Sequence, residues 1–426
     1  MVFFGGIESV RIHKRFRMEM KFKNERTGME PSRMERGMTL AEKQAFLPYG
    51  HQWIDDEDIA AVVAVLKGDW LTMGPTVDAF ENALAEKVGT RYAVSFSSGT
   101  AALHGAMYAA GVGHGDEVIV PPMTFAATSN AVLYMGGIPR FADIAPETWC
   151  LDPEAAQKVV SGRTKAIVPV SFTGFPLPLE PFRALAKHAG AVLIEDACHS
   201  LGGEREGRKV GRDADMTVFS FHPVKHITTG EGGMVVTDDD EFARRLRLFR
   251  SHGITKDPAQ MRTVPHGPWY TEMQDLGYNY RLTDLGSALG LSQLRRLDAF
   301  VSRRRELAAL YDRLLPELNG KTSAPVVETP PTHPGHAYHL YAANFEPAVR
   351  KHLFEELRKA GIGVQVHYLP VHLHRYYRER FGWKEGDFPV AERLYGGEIS
   401  LPLFPSMEND DVSRVVGEIR RILENM

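Results

Sequence analysis

From Ile54 onward the chain switches between two hydrophobic periods. IDDEDIAAVVAVLKGDW opens with acidic residues suited to a first helical turn, then sets Ile59, Val62, Val63 and Leu66 on one face before Gly68. VDAFENALAEKVG repeats the design with Val77, Phe80 and Leu84, closed by Gly89. Both stretches predict amphipathic helices. Short apolar runs follow: AVSF, EVIV, RFADI, AIVPV, AVLIEDA, TVFSF and GMVVT. Several are apolar at consecutive positions, the mark of strands covered on both faces by helices. Helical patterns such as TAALHGAMYAA and PFRALAKHA fall between them. The pattern predicts an α/β domain with a largely parallel sheet, whose ligands bind beyond the carboxyl ends of the strands.

After Leu282 the period lengthens. LTDLGSALGLSQLRRLDAFVSRRRELAALYDRLL predicts one or two long helices, followed by the Pro-rich PVVETPPTHPG and shorter mixed elements. The expected organisation is a large domain over 46–290 and a smaller C-terminal α+β domain over 291–426. Residues 1–45 show scattered basic residues, several methionines and no sustained period, as in a poorly ordered arm, with Met38 a plausible true start.

Composition narrows the function. The 426 residues carry a net charge of −4, which gives no reason to expect nucleic acid or an anionic membrane as partner. Two cysteines without metal-type spacing fit a reducing compartment, and no apolar run approaches the roughly 20 residues that span a bilayer. The expectation is a cytoplasmic protein with no metal site.

Three strand ends carry chemistry. AVSFSSGTAAL runs from a strand through Ser97, Ser98, Gly99 and Thr100 into an Ala-rich helix. Such a start either holds an anion such as phosphate on backbone N–H groups or is simply capped. AVLIEDA ends in Glu195-Asp196; a carboxylate there either meets a protonated ring nitrogen or caps a turn. FSFHPVKHITTGEGG places Ser220 and Lys225 beyond a third strand. A half-buried lysine loses its proton more readily and can form a Schiff base with an aldehyde. Phe125, soon after EVIV, suits either core packing or a flat ring above a cofactor. An anion cradle, an Asp and a lysine at three strand ends together describe a site for pyridoxal 5′-phosphate (PLP).

The order SSGTAAL, TFAATSNAV, EDACHSLG, FSFHPVK, TTGEGG and LGYNYRLTDLGSALGLSQL resembles the DegT/DnrJ/EryC1/StrS family of sugar-nucleotide aminotransferases, from about Leu47 to the C-terminus. The resemblance implies the fold of the fold-type I PLP-dependent transferases. It implies that Lys225 forms the Schiff base and that Asp196 holds the pyridinium nitrogen. Gly99, Thr100 and Ser220 would contact the phosphate, Phe125 would stack on the ring, and His199 would stand near the phenolic oxygen. Asn279, in GYNYR, would reach the phosphate from a partner subunit, which implies a homodimer with shared sites. Within the family, YGHQWIDDEDI, DWLTMGPTVDAFE and FRSHGITKD resemble the branch that aminates a UDP-4-keto-6-deoxy-L-sugar with L-glutamate on the route to pseudaminic acid. Related sugar dehydratases replace the lysine with histidine; here Lys225 is present and His226 follows it, which favours transamination. Many relatives carry His-Phe-x-Gly-Gln-Pro where this chain has Ser171 to Pro176, so contacts from that loop do not carry over. His367 and His372, in VHYLPVH, are candidates for substrate contact or for packing.

Overall fold

All seven apolar runs pair into one sheet. Its strands are β1 (Tyr92–Phe96), β2 (Glu117–Val120), β3 (Ile138–Phe141), β4 (Thr164–Ile167), β5 (Val192–Asp196), β6 (Met216–Ser220) and β7 (Gly233–Thr237). The order across the sheet is β1-β7-β6-β5-β4-β2-β3. The pairs from β6 to β3 are parallel, and β7 runs antiparallel to both β1 and β6. Every residue of β2 and β7 is buried, which explains their unbroken apolar character. The structure, a computed structural model, describes residues 46–319 and 327–426; the N-terminal arm and Met38 lie outside them.

Helices α1 (Asp56–Leu66), α2 (Pro75–Val88), α3 (Gly99–Ala109), α4 (Ala127–Tyr134), α5 (Glu180–Ala189), α6 (Asp240–Phe249), α7 (Asp284–Arg295) and α8 (Leu297–Leu314) accompany the sheet. Helix α2 behaves as its period predicts: Val77, Phe80 and Leu84 are buried, and Gly89 closes it in the left-handed conformation at φ 78°. Helix α1 differs. Only Asp58 is buried, while Ile59 and Leu66 are more than half exposed. The cause is polar: Asp58 accepts hydrogen bonds from Gln293 (2.5 Å) and from Arg296, so the acidic edge faces α7 and the apolar stripe faces outward.

Strands β8 (Tyr341–Asn344) and β9 (Glu398–Leu401) pair antiparallel. With helices α9 (Pro347–Lys359) and α10 (Asn409–Glu424) they enclose a separate apolar cluster that includes Leu307, Tyr311, Leu353 and Ile419. The intervening Val371, Tyr377 and Phe388 pack instead on the core of the large sheet. Leu291 itself lies inside α7.

A buried charge network braces the end of β5. Glu195, with no exposed surface, accepts from Ser171 Oγ (2.6 Å) and from Arg205 Nη2 (2.7 Å). Arg205 also donates to Asp213 (2.8 Å). Removing one partner strands the others in a medium that solvates them poorly. Arg205→Met should therefore lower the unfolding free energy by about 3–5 kcal/mol. Urea unfolding tests this, and the double variant Glu195→Gln/Arg205→Met should recover part of the loss.

Candidate active site

Beyond the carboxyl ends of β1, β5 and β6 lies a cavity of about 430 Å³. Gly99, Thr100, Phe125, Asp196, His199, Ser220, Lys225 and His367, eight of the residues singled out from the sequence, line it together.

One end is built to receive an anion. Ser98 caps α3, its side chain accepting the Ala101 N–H at 3.1 Å, so the Gly99 and Thr100 amides at this helix start have no partner inside the helix. The capping reading of the SSGT stretch applies to Ser98, while Gly99 and Thr100 keep amides that could meet an anion. Gly99 must lack a side chain: a Cβ there would stand 2.9 Å from Ser220 Cβ and 3.0 Å from its Oγ. At Gly233, on the neighbouring strand, a Cβ would meet Ser98 O at 2.5 Å. Backbone from α3 and the Ser220 hydroxyl thus converge on one spot.

At the other end Asp196 is 4% exposed. Its Oδ2 accepts from Thr128 Oγ1 (2.7 Å) and its Oδ1 from the Cys198 N–H (3.2 Å). Thr124 Oγ1 supports Thr128 at 2.9 Å. These donors fix the carboxylate's position without an ion pair, as a site for a protonated ring nitrogen would require. Phe125 is not core: it is 57% exposed and forms a wall of the cavity, 5.7 Å between centroids from Tyr368.

Lys225 lies in the turn after β6, half-buried, with Nζ 3.2 Å from His339 Nε2. Burial lowers its pKa to about 8, against the opposing pull of Cys198 and Asp196, and Arg304 lowers it further. His199, His226, His339 and His367 surround it, all held below the ordinary imidazole range, chiefly by burial and also by the Lys225 charge. His199 bonds Tyr368 Oη at 3.2 Å, and its ring centroid is 4.4 Å from that of His339. Arg304, fully buried, donates Nη1 to the carbonyls of Tyr338 (3.2 Å), His339 (3.2 Å) and Leu403 (2.9 Å), and so fixes the backbone that carries His339.

Two residues singled out from the sequence lie elsewhere. His372 takes the packing alternative: it is fully buried against Phe141 and Phe388, bonds Glu392 at 3.0 Å and does not reach the cavity. Asn279 is exposed and does not line the cavity of its own chain. The Ser171–Pro176 loop is structural. Thr173 O and Gly174 O accept the Leu340 and Ala337 N–H groups at 3.2 and 2.9 Å. Gly174, at φ 107°, has no room for a Cβ, which would meet His199 O at 2.7 Å. Thr128, His339, Tyr368 and Arg304 escaped the sequence reading. Thr128 is legible as the hydroxyl one helical turn after Phe125, and His339 as a histidine inside the apolar run YHLYAA. Nothing in the sequence marks Arg304 among its arginine neighbours.

The residues present fit PLP: free amides and a hydroxyl where a phosphate would lie, an unpaired carboxylate for the ring nitrogen, an exposed aromatic for the ring face, and a lysine amine. Comparison with known proteins agrees. A family model described as the DegT/DnrJ/EryC1/StrS aminotransferase family matches residues 52–420. The spore coat polysaccharide biosynthesis protein SpsC of Bacillus subtilis is 40% identical over 392 residues, 90% of this chain and 99% of SpsC. Helicobacter pylori PseC, described as an aminotransferase involved in the biosynthesis of pseudoaminic acid, superposes with a TM-score of 0.81 at 34% identity, over 89% of this chain and all (100%) of PseC. The PLP form of Spr1654 from Streptococcus pneumoniae gives 0.80 at 28% identity, over 89% of this chain and 99% of Spr1654. The chain belongs to the DegT/DnrJ/EryC1/StrS aminotransferase family, and its cofactor is pyridoxal 5′-phosphate.

Proposed function

We propose that this enzyme moves the amino group of L-glutamate to C4 of a UDP-linked 4-keto-6-deoxy-N-acetylhexosamine, giving a 4-amino sugar for pseudaminic acid or another surface glycan. The observation that carries the aminotransfer is the Lys225 amine, its pKa lowered by burial to about 8, sharing one cavity with an Asp196 carboxylate fixed by hydrogen-bond donors. The sugar is supported by the likeness to PseC, and a destination in a surface glycan also by SpsC.

Bound PLP supplies an aldehyde that takes up the amino group and a protonated ring that draws electrons from the carbon being deprotonated. The protein does the rest. Asp196 keeps the ring nitrogen protonated, and Gly99, Thr100 and Ser220 anchor the phosphate. Lys225 Nζ takes the Cα proton of glutamate and later delivers a proton to C4 of the sugar, a role that requires an amine near its pKa at working pH. Phe125 would cover one ring face, and His199 would stand near the phenolic oxygen.

The active form is a homodimer with shared sites. The outward stripe of α1, with Ile59 and Leu66, continues into Trp70, Leu71 and Met73, each more than 40% exposed, an apolar surface of the kind that partners cover. Exposed Asn279 is the residue that would complete the partner's phosphate site.

Three measurements test this reading. With PLP loaded, the visible absorbance should bleach on adding L-glutamate and return with the UDP-4-keto sugar. Lys225→Ala should show neither change and lose at least about a hundredfold in turnover. If bleaching fails with glutamate but occurs with another amine, the donor assignment is wrong. In cofactor-free protein, Lys225 should react with trinitrobenzenesulfonate increasingly as pH rises, half-maximally near 8. An ordinary lysine titrates at about 10.4. The deprotonated amine is the reactive form, so a midpoint above 10 would contradict the buried setting. Leu66→Asp should shift the sedimentation profile from dimer toward monomer.

A further inference from the structure

A second buried carboxyl stands close to the cavity. Glu398, on β9, has no exposed surface. Its Oε2 accepts the His367 N–H at 2.7 Å, and its Oε1 lies 2.5 Å from Ser400 Oγ. Burial raises its pKa to about 8, outweighing Ser400, the His367 amide and, last, the charge of Arg350. Ser400 Oγ is in turn 2.8 Å from His367 Nδ1. Carboxyl, hydroxyl and imidazole form a line that ends at the cavity wall, where His367 stands.

The line has only two orderings. His367 is uncharged near neutral pH, because burial and the Lys225 charge hold its pKa at about 3. Its other ring neighbours, Tyr49 and Tyr368 (5.3 and 4.8 Å between centroids), have phenols whose pKa is raised and which stay neutral too. A neutral imidazole carries one hydrogen, placed by the bond its other nitrogen makes. When Glu398 is protonated it donates to Ser400, Ser400 donates to Nδ1, and Nε2 carries the N–H. When Glu398 is ionised, Ser400 donates to it and accepts from Nδ1–H, and Nε2 is bare.

We propose that Glu398 and Ser400 set the tautomer of His367, and that His367 Nε2–H binds an acceptor oxygen of the substrate. The ligand class is a carboxylate, phosphate or carbonyl oxygen, which glutamate and a nucleotide sugar both carry. His367 is the contact; Glu398 and Ser400 are positioning residues. The choice of ligand rests on the aminotransfer reading, whereas the tautomer does not.

Ring-nitrogen NMR on ¹⁵N-histidine protein, with His367 assigned by His367→Gln, reads the tautomer directly and needs no turnover. The Nε2–H form is expected at pH 6.5, converting to Nδ1–H as pH rises through about 8. Glu398→Gln donates its amide N–H to Ser400 permanently, so the Nε2–H form should persist to pH 9.5. Ser400→Ala keeps the acid but cuts the line, so the pH response should vanish. Melting checks the acid itself. A folded carboxyl with a raised pKa keeps a proton that the unfolded chain has lost, so its stabilising effect falls as pH rises from 4.5 to 8. Wild type should therefore lose Tm relative to Glu398→Gln across that range. For binding, the dissociation constant of UDP-N-acetylglucosamine or the KM for L-glutamate should rise roughly tenfold between pH 7 and 9 in wild type relative to Glu398→Gln. One unchanged tautomer across the range would overturn the relay. A tautomer change that neither probe follows would overturn the ligand contact. Failure of glutamate to bleach the loaded enzyme, with the tautomer change intact, would count against aminotransfer and leave the relay standing.

Discussion

A carboxylate buried without a cation is the constraint around which this site is arranged. Asp196 sits at the end of the central strand β5, where ionised groups are costly. The protein meets that cost with dipoles, the Thr128 hydroxyl and the Cys198 amide, and not with a guanidinium. Its neighbour Glu195, one residue earlier, points the other way and is matched by Arg205. Two adjacent acids on one strand thus have opposite surroundings: Glu195 is matched by a guanidinium away from the cavity, and Asp196 is held by neutral donors at the cavity's edge.

Around Lys225 the same low-polarity setting acts on bases. Burial disfavours ammonium and imidazolium alike, and the Lys225 charge adds to it, so the four histidines around the lysine stay neutral and share the small volume without imidazolium charges of their own. Arg304 keeps its charge behind them, its Nη1 bonded only to carbonyl oxygens. One cation there both fastens the His339 backbone and pushes neighbouring bases toward neutrality.

How much of this was legible in the chain follows from range. Strands buried on both faces leave unbroken apolar runs, so the seven strands were readable, with β3 starting two residues earlier than RFADI suggested. Groups at strand ends were readable because their chemistry is out of place there. What failed to show was direction. The stripe on α1 indicates which face is apolar but not whose core it meets, and Asp58 decided that through residues more than 230 positions away. His339, Tyr368 and Arg304 reach the site through the same long-range packing, which no local period records. His372 and His367 are five positions apart in similar sequence, yet one is core and the other lines the cavity.

The Ser171–Pro176 loop contributes no lining residue to the cavity, yet two of its carbonyls accept amides on either side of His339, Gly174 leaves no room for a Cβ against the His199 carbonyl, and Phe172 packs beside the His199 ring. It works as a spacer between the two histidines whose rings lie 4.4 Å apart. A change in that loop would alter their separation, and with it the room beside the lysine, while leaving every lining side chain intact. The shape of the cavity is thus set in part by residues that never line it.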